Sequence, residues 1–293
     1  MTAHSYRIEA SDLVRRYGRY TALDGVSFAV EGPAVLAMVG KNGSGKSTLM
    51  RLLNGWEKPS SGSITVGGCT PYDCGKVLKD MIFIDEKVEF DFTLTLAGIL
   101  EKCAFMDRRF DLRYAHQMAA GFGLGLKKRQ SQLSKGMRNQ FNIIVALAFN
   151  RPVTVMDEPV SGLDEASRKL FYSLLVRSQN ENPRLFIIST HLLGEFEQYA
   201  DSFMVLTRGK IAAYDARETF ETLLVRVTGL GENVDKVVEG LEVYETKTFA
   251  GMKSVTVANL IDRAGKKFAA EHNVDIRRVP VNDVCTLLGE LEA

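Results

Sequence analysis

The strongest chemical signal in the chain is Gly40-Lys41-Asn42-Gly43-Ser44-Gly45-Lys46-Ser47-Thr48. It follows the continuous apolar run Val35 to Val39 and precedes Leu49-Met50-Arg51-Leu52-Leu53, so the spacing predicts a buried strand, a glycine-rich loop and a helix. Glycines let backbone N–H groups curl around phosphate oxygens without Cβ clashes. The helix start aims its positive dipole end at the same anion. Lys46 is then placed to supply a point charge to the β- and γ-phosphates of a nucleoside triphosphate, and the Ser47 hydroxyl to ligate Mg2+. A turn that binds nothing is the plain alternative, and the complete motif in its required context outweighs it.

A second signal is Val153-Thr154-Val155-Met156-Asp157-Glu158-Pro159, an apolar strand ending in two adjacent carboxylates. Ionised groups at a strand end need a partner. Beside a phosphate loop that partner is Mg2+, held by Asp157 through water. Strand alternation turns Glu158 elsewhere, where it can polarise an attacking water as general base. Between the two signals lies Leu133-Ser134-Lys135-Gly136-Met137-Arg138, which opens a helix running through Phe141 to Phe149. Ser134 reads as its N-cap and Gly136 as a position of close backbone approach.

The elements that must carry these residues follow from periodicity. Tyr6 to Val30 alternates and breaks at Gly18 and Gly25, which suits two antiparallel strands. Ile64-Thr65-Val66, Val153 to Met156, Leu185 to Ile188, and a hairpin of Phe203–Leu206 with Lys210–Ala213 read as further strands. Residues 87 to 149 read as mainly helical, and Asp164 to Ser178 as one helix with Leu170, Leu174 and Leu175 on a face. After about residue 220 the strands Leu223–Val227, Leu241–Thr248, Ser254–Val257 and Val274–Val279, with helices near Val234 and over Ala264–Glu271, suggest a small unit of the split βαβ kind.

Taken in order, Tyr17, the Gly40–Thr48 loop, Leu133-Ser134-Lys135-Gly136, Val153–Pro159, Ser161-Gly162-Leu163-Asp164 and Ser189-Thr190-His191 resemble the ABC ATPase cassette over roughly residues 5 to 220. The phosphate loop is shared by many nucleotide-binding families; the later segments in this order are specific. The resemblance implies an α/β P-loop NTPase cassette. Its parts would be a RecA-like α/β core, an antiparallel β subdomain and a helical subdomain over about 87–145. Residues 1–220 would form the ATPase domain and 221–293 a small accessory α/β domain.

The resemblance also implies roles. Tyr17 would stack on adenine, where an ordinary strand aromatic is the alternative. His191 would contact the γ-phosphate and orient the water. Asp164 would lie at a subunit interface, or simply cap its helix. Ser134 and Gly136 would complete the ATP site of the opposite subunit, giving a head-to-tail homodimer, or a heterodimer with a paralogous ATPase, around two ATP molecules. A separately encoded integral membrane permease would be the driven partner, docking against the helical segment. Phe90, Phe92 and Leu94 would line that groove or belong to the core.

The chain departs from the family pattern at two places. Lys135 and Met137 replace the common glycine and glutamine of the signature segment; Ser-Lys-Gly-Met forms occur in bacterial exporter subunits, which implies the exporter type. After Met81-Ile82-Phe83-Ile84 the expected glutamine is replaced by Glu86, with Asp85 beside it. This carboxylate could still approach Mg2+ and changes the charge of the site.

Composition narrows the alternatives. In 293 residues, 45% are hydrophobic and 25% charged, with a net charge of +1, so nothing attracts the chain globally to nucleic acid or acidic lipid. A soluble ABC ATPase acting on nucleic acid or ribosomes would want tandem cassettes, a coiled-coil insertion or a basic surface, none of which is read here. A sensor with poor turnover is opposed by the presence of Glu158 and His191, while the replacement at Glu86 leaves that reading open. The four cysteines have no metal-ligand spacing and read as free thiols. No secretory signal and no spanning run are visible, the longest apolar stretch lying around Phe141 to Phe149. The expected place is the cytoplasmic face of a membrane, reached through a partner.

Overall fold

A computed structural model describes residues 6–72 and 74–290. The chain opens with β1 (Arg7–Tyr17) and β2 (Tyr20–Glu31), antiparallel around Gly18, whose φ of 58° suits the tight turn. Then come β3 (Ala34–Val39), α1 (Lys46–Leu53), β4 (Ser61–Val66), α2 (Gly75–Asp80) and β5 (Met81–Ile84). The helical stretch holds α3 (Leu96–Met106), α4 (Leu112–Gly121) and α5 (Lys135–Ala148). It is followed by β6 (Val153–Met156), α6 (Glu165–Glu181), β7 (Leu185–Ser189), α7 (Leu193–Phe196), β8 (Ser202–Thr207), β9 (Lys210–Ala216) and α8 (Arg217–Leu223). The remainder is β10 (Leu224–Leu230), α9 (Gly231–Val237), β11 (Val243–Phe249), β12 (Met252–Ala258), α10 (Arg263–Glu271), β13 (Asp275–Arg278) and α11 (Val281–Glu290).

Three sheets result, ordered β2-β1-β4, β5-β6-β7-β3-β8-β9 and β11-β12-β10-β13. The central six-stranded sheet is parallel from β5 to β8, and β9 returns antiparallel. Among its inner strands β6 and β7 are buried along their whole length, which is why Val153–Met156 and Leu185–Ser189 read as unbroken apolar runs in a sheet covered on both faces. One face packs on α5, α6 and the helical stretch, around Phe141, Phe171, Phe186 and Phe203. The other packs on α1 and the three-stranded sheet, around Leu36, Met38, Leu49 and Ile187. In open parallel sheets ligands bind beyond the strand C-termini. Because β7 lies between β3 and β6, that edge brings the loops after β5, β6, β7 and β3 side by side.

The helical stretch begins later than its composition suggests. Residues 85–95 are largely irregular: Asp91 accepts from the Thr93 backbone N–H, and Thr95 caps α3 by accepting from Gly98 N–H. Of the three residues expected to line a docking groove, Phe90 packs edge-on against Phe141 with ring centroids 5.3 Å apart, Leu94 leans on the core, and Phe92 is exposed.

Residues 224–278 run βαββαβ, the split βαβ order, with α9 and α10 against one face over Val225, Val227, Val255 and Val257. The last helix does not stay with this sheet. Val281, Val284 and Cys285 on α11 bury into the large core beside Phe203 and Phe220, and Asn282 N–H donates to Glu197.

Candidate functional site

The loop after β3 wraps back on itself. Gly43 and Gly45 sit at φ of 84° and 109°, and a Cβ on Gly45 would meet the Ala22 carbonyl oxygen at 2.7 Å. Both positions therefore demand glycine. Lys46 Nζ folds over the loop and donates to the carbonyls of Gly40 (2.6 Å) and Lys41 (3.1 Å). Burial pulls the Lys46 pKa below the ordinary lysine value, while Glu158 and Asp157 push it back up. The Ser44 hydroxyl is buried against the loop without a partner. A desolvated ammonium and an unpaired hydroxyl on a tightly wound glycine loop suit an oxyanion-rich ligand.

Across from the loop, Asp157 accepts from Ser47 Oγ (2.6 Å) and from Ser189 Oγ (2.5 Å). Ser189 Oγ also accepts from the Glu158 backbone N–H at 2.8 Å. Glu158 does not owe its direction to strand alternation, because β6 ends at Met156 and Glu158 stands at φ 51°. This left-handed kink, sparsely populated by non-glycine residues, turns its carboxylate toward His191, whose Nδ1 lies 2.6 Å from Oε2. The Ser47–Asp157 pair fits Mg2+: a hydroxyl and a carboxylate converge where a hard dication bound mostly by phosphate oxygens and water would sit. Among the described residues no group of three or more His, Cys, Asp or Glu is placed to hold a metal by itself.

These groups share one cavity of about 550 Å³, lined by Tyr20, Asn42, Gly43, Gly45, Lys46, Ser47, Thr48, Glu86, Lys135, Asp157, Glu158, Ser161 and His191 among others. Several expectations place differently. Tyr17 does not line it: the Tyr17 hydroxyl bonds Glu57 and the Arg15 guanidinium lies 4.6 Å over its ring. Its cross-strand neighbour Tyr20 lines the cavity instead and donates to the Gly43 carbonyl at 3.2 Å. Glu86 lines the cavity, as a metal neighbour would, with its carboxylate paired to Lys135 Nζ at 2.8 Å. Burial pushes the Glu86 carboxyl up, but the Lys135 ammonium beside it outweighs this and holds it below the usual carboxylate value.

Ser134, Gly136 and Asp164 lie outside the cavity lining. Ser134 caps α5 by accepting from Met137 N–H at 3.3 Å, and Asp164 caps α6 by accepting from Ser167 N–H at 2.8 Å. Gly136 faces Gly162 of the same chain so closely that a Cβ would stand 2.5 Å from its carbonyl oxygen. Sequence reasoning missed Ser189, which binds both carboxylate segments, and Lys135 and Tyr20. Ser189 had a signal, a hydroxyl ending a buried strand, where an unpartnered polar group is rare.

Fold and loop together define a P-loop nucleoside triphosphatase. Residues 23–161 match the family model described as ABC transporter. An energy-coupling factor transporter ATP-binding protein of Enterococcus faecalis is 32% identical over 265 residues, covering 84% of this chain and 90% of that protein. A methionine import ATP-binding protein of Corynebacterium glutamicum is 32% identical over 204 residues, covering 66% of this chain and 57% of that protein. Among solved structures, an ATP-binding subunit of an ABC transporter superimposes with a TM-score of 0.66 at 26% identity, covering 73% of this chain and 91% of that one. The chain belongs to the ABC transporter ATP-binding proteins. It is an ATPase of that family.

Proposed function

We propose that two copies of this cassette, or one copy and a paralogue, close head to tail on two ATP molecules and drive a separately encoded membrane permease. The observation that carries this reading is a division of labour. Lys46, Ser47, Asp157, Glu158 and His191 surround one cavity, while Ser134, Gly136 and Asp164 are fixed on neighbouring helix starts outside it. Such a capped helix N-terminus is a ready site for a phosphate brought by a second subunit.

Lys46 leaves the Gly40 and Lys41 carbonyls for the β- and γ-phosphates. Ser47 and Asp157 would hold Mg2+, which supplies charge neutralisation on the phosphate oxygens. Glu158 takes the proton of the attacking water, and His191, 2.6 Å away, fixes the carboxylate and meets the γ-phosphate. Loss of that phosphate removes the contacts joining the subunits, so dimer affinity falls and the change passes to the permease. The place of action is the cytoplasmic face of a membrane, through that partner; no helix among the described residues is long and apolar enough to cross one. The exporter type rests on the Ser-Lys-Gly-Met segment alone. Residues 224–278 act as an accessory unit, whereas α11, expected to belong to it, packs into the cassette core.

The test is Glu158→Gln with ATP in a sizing experiment. The reading expects hydrolysis to fall by roughly 100- to 10,000-fold and an ATP-dependent dimer to accumulate. Only monomer at saturating ATP would sink the sandwich. A Lys46→Ala protein with unchanged ATP affinity would sink the site itself.

A further inference from the structure

The two places where the chain departs from its family's pattern meet in space. Glu86 lies in the loop leaving β5, Lys135 is the first residue of α5, and their side chains close to 2.8 Å. The pair borders the nucleotide cavity and also a second hollow of about 340 Å³ lined by Glu86, Lys135, Arg138 and Asn139. Ser161, three residues past Glu158, lines the same nucleotide cavity.

The backbone around the pair is joined in the same pattern. Asn142 Nδ2 donates to the Asp85 carbonyl at 3.1 Å, and Asn139 Nδ2 to the Ser161 carbonyl at 2.6 Å. Gly136 sits directly on the Gly162 carbonyl. The start of α5 thus grips the loop after β5 on one side and the segment after Glu158 on the other. Charge makes the two departures compatible in this chain. A carboxylate at position 86 faces a cavity that already holds Asp157 and Glu158 and receives a polyanion, so it needs a cation beside it. A lysine replacing glycine at position 135 needs the converse.

We propose that Glu86 is a positioning residue of the ATPase: paired with Lys135, it steadies the start of α5, whose Gly136 and Asn139 hold the loop after Glu158, and thereby sets where the general base stands. This rests on Glu158 acting as proposed above. Lys135 is the other half of the device.

The experiment measures steady-state ATPase kinetics of Glu86→Gln, Lys135→Met, Lys135→Glu and the exchanged pair Glu86→Lys/Lys135→Glu, with thermal unfolding to confirm folding. The two neutral variants should lower kcat about tenfold, less than the ~100-fold of a full ångström misplacement, with KM for ATP changed by less than about twofold. The exchanged pair should recover most of the kcat lost by Lys135→Glu alone. Wild-type kcat in both neutral variants, equal effects on kcat and KM, or an exchanged pair no better than Lys135→Glu would each overturn the proposal. Glu158→Gln is measured alongside. Full turnover there removes the base and the positioning role with it; slow Glu158→Gln beside unaffected Glu86→Gln and Lys135→Met removes the positioning role alone.

Discussion

Replacing Gly136 by alanine isolates the contact between the start of α5 and the loop after Glu158. The added Cβ would stand 2.5 Å from the Gly162 carbonyl oxygen, a backbone atom that no rotamer change can move. An acceptable carbon–oxygen contact begins at about 3.3 Å, so the two segments must part by roughly 0.8 Å. Overpacking of this kind costs about 1–3 kcal/mol, and alanine returns about 1 kcal/mol of helix propensity. The net destabilisation is therefore about 0–2 kcal/mol, a fall in Tm of at most about 8 °C for a chain of this size. Turnover should suffer far more, since Ser161 and Gly162 follow the catalytic carboxylate and a displacement near 1 Å costs on the order of 100-fold. ATP affinity should hold, because Lys46 and the phosphate loop are untouched. Steady-state ATPase rates, nucleotide titration and thermal unfolding on one preparation separate these terms. A variant with kcat within twofold of the parent and unchanged Tm would refute the reasoning.

Further outcomes follow from other parts of the molecule. Burial lowers the Lys46 pKa and only its protonated form attracts phosphate, so ATP affinity should be level at lower pH and decline as pH rises through that depressed value; Lys46→Arg should flatten the decline in a pH series of binding measurements. Tyr20→Ala should weaken ATP binding by about fivefold, and Tyr17→Ala, whose ring is held by Arg15 and Glu57, by less than twofold in the same titration. Phe171→Ala removes a fully buried ring between α6 and the central sheet and should cost about 3–5 kcal/mol in denaturant unfolding, with ATP affinity of the folded fraction preserved.

The phosphate loop was legible because its requirement is local: glycines at set intervals between a buried strand and a helix. The paired carboxylates were legible for a similar reason, as charges at the end of an apolar run. What escaped depends on backbone reversals and on distant partners. The direction of Glu158 comes from a left-handed residue that alternation cannot foresee. Tyr17 and Tyr20 flank the same turn, and which of them faces the cavity is decided by Arg15 and Glu57 taking hold of Tyr17. Glu86 read as a candidate metal neighbour, and only the fold brings Lys135 against it. The onset of α3 at Leu96 rather than near residue 87 reflects the Asp91 and Thr95 side chains competing with helix for backbone amides. The α11 helix had an available signal in Val281, Val284, Cys285 and Leu288, spaced for one helical face.

The return of α11 to the large core gives the C-terminal sheet the topology of a detour. The chain leaves at Leu224 and comes back at Val279, whose N–H donates to the Leu224 carbonyl at 3.1 Å, so both crossings sit at one point. A protein cut after residue 223 would shed α11 as well, laying bare the sides of Phe203 and Phe220 that Val284 and Cys285 cover. Joining Leu223 to Pro280 through a short turn would instead excise the sheet and keep that covering helix. The four-stranded unit is in this sense a removable plug on an otherwise closed body, and the shortened chain is the cleaner reagent for asking what the plug contributes.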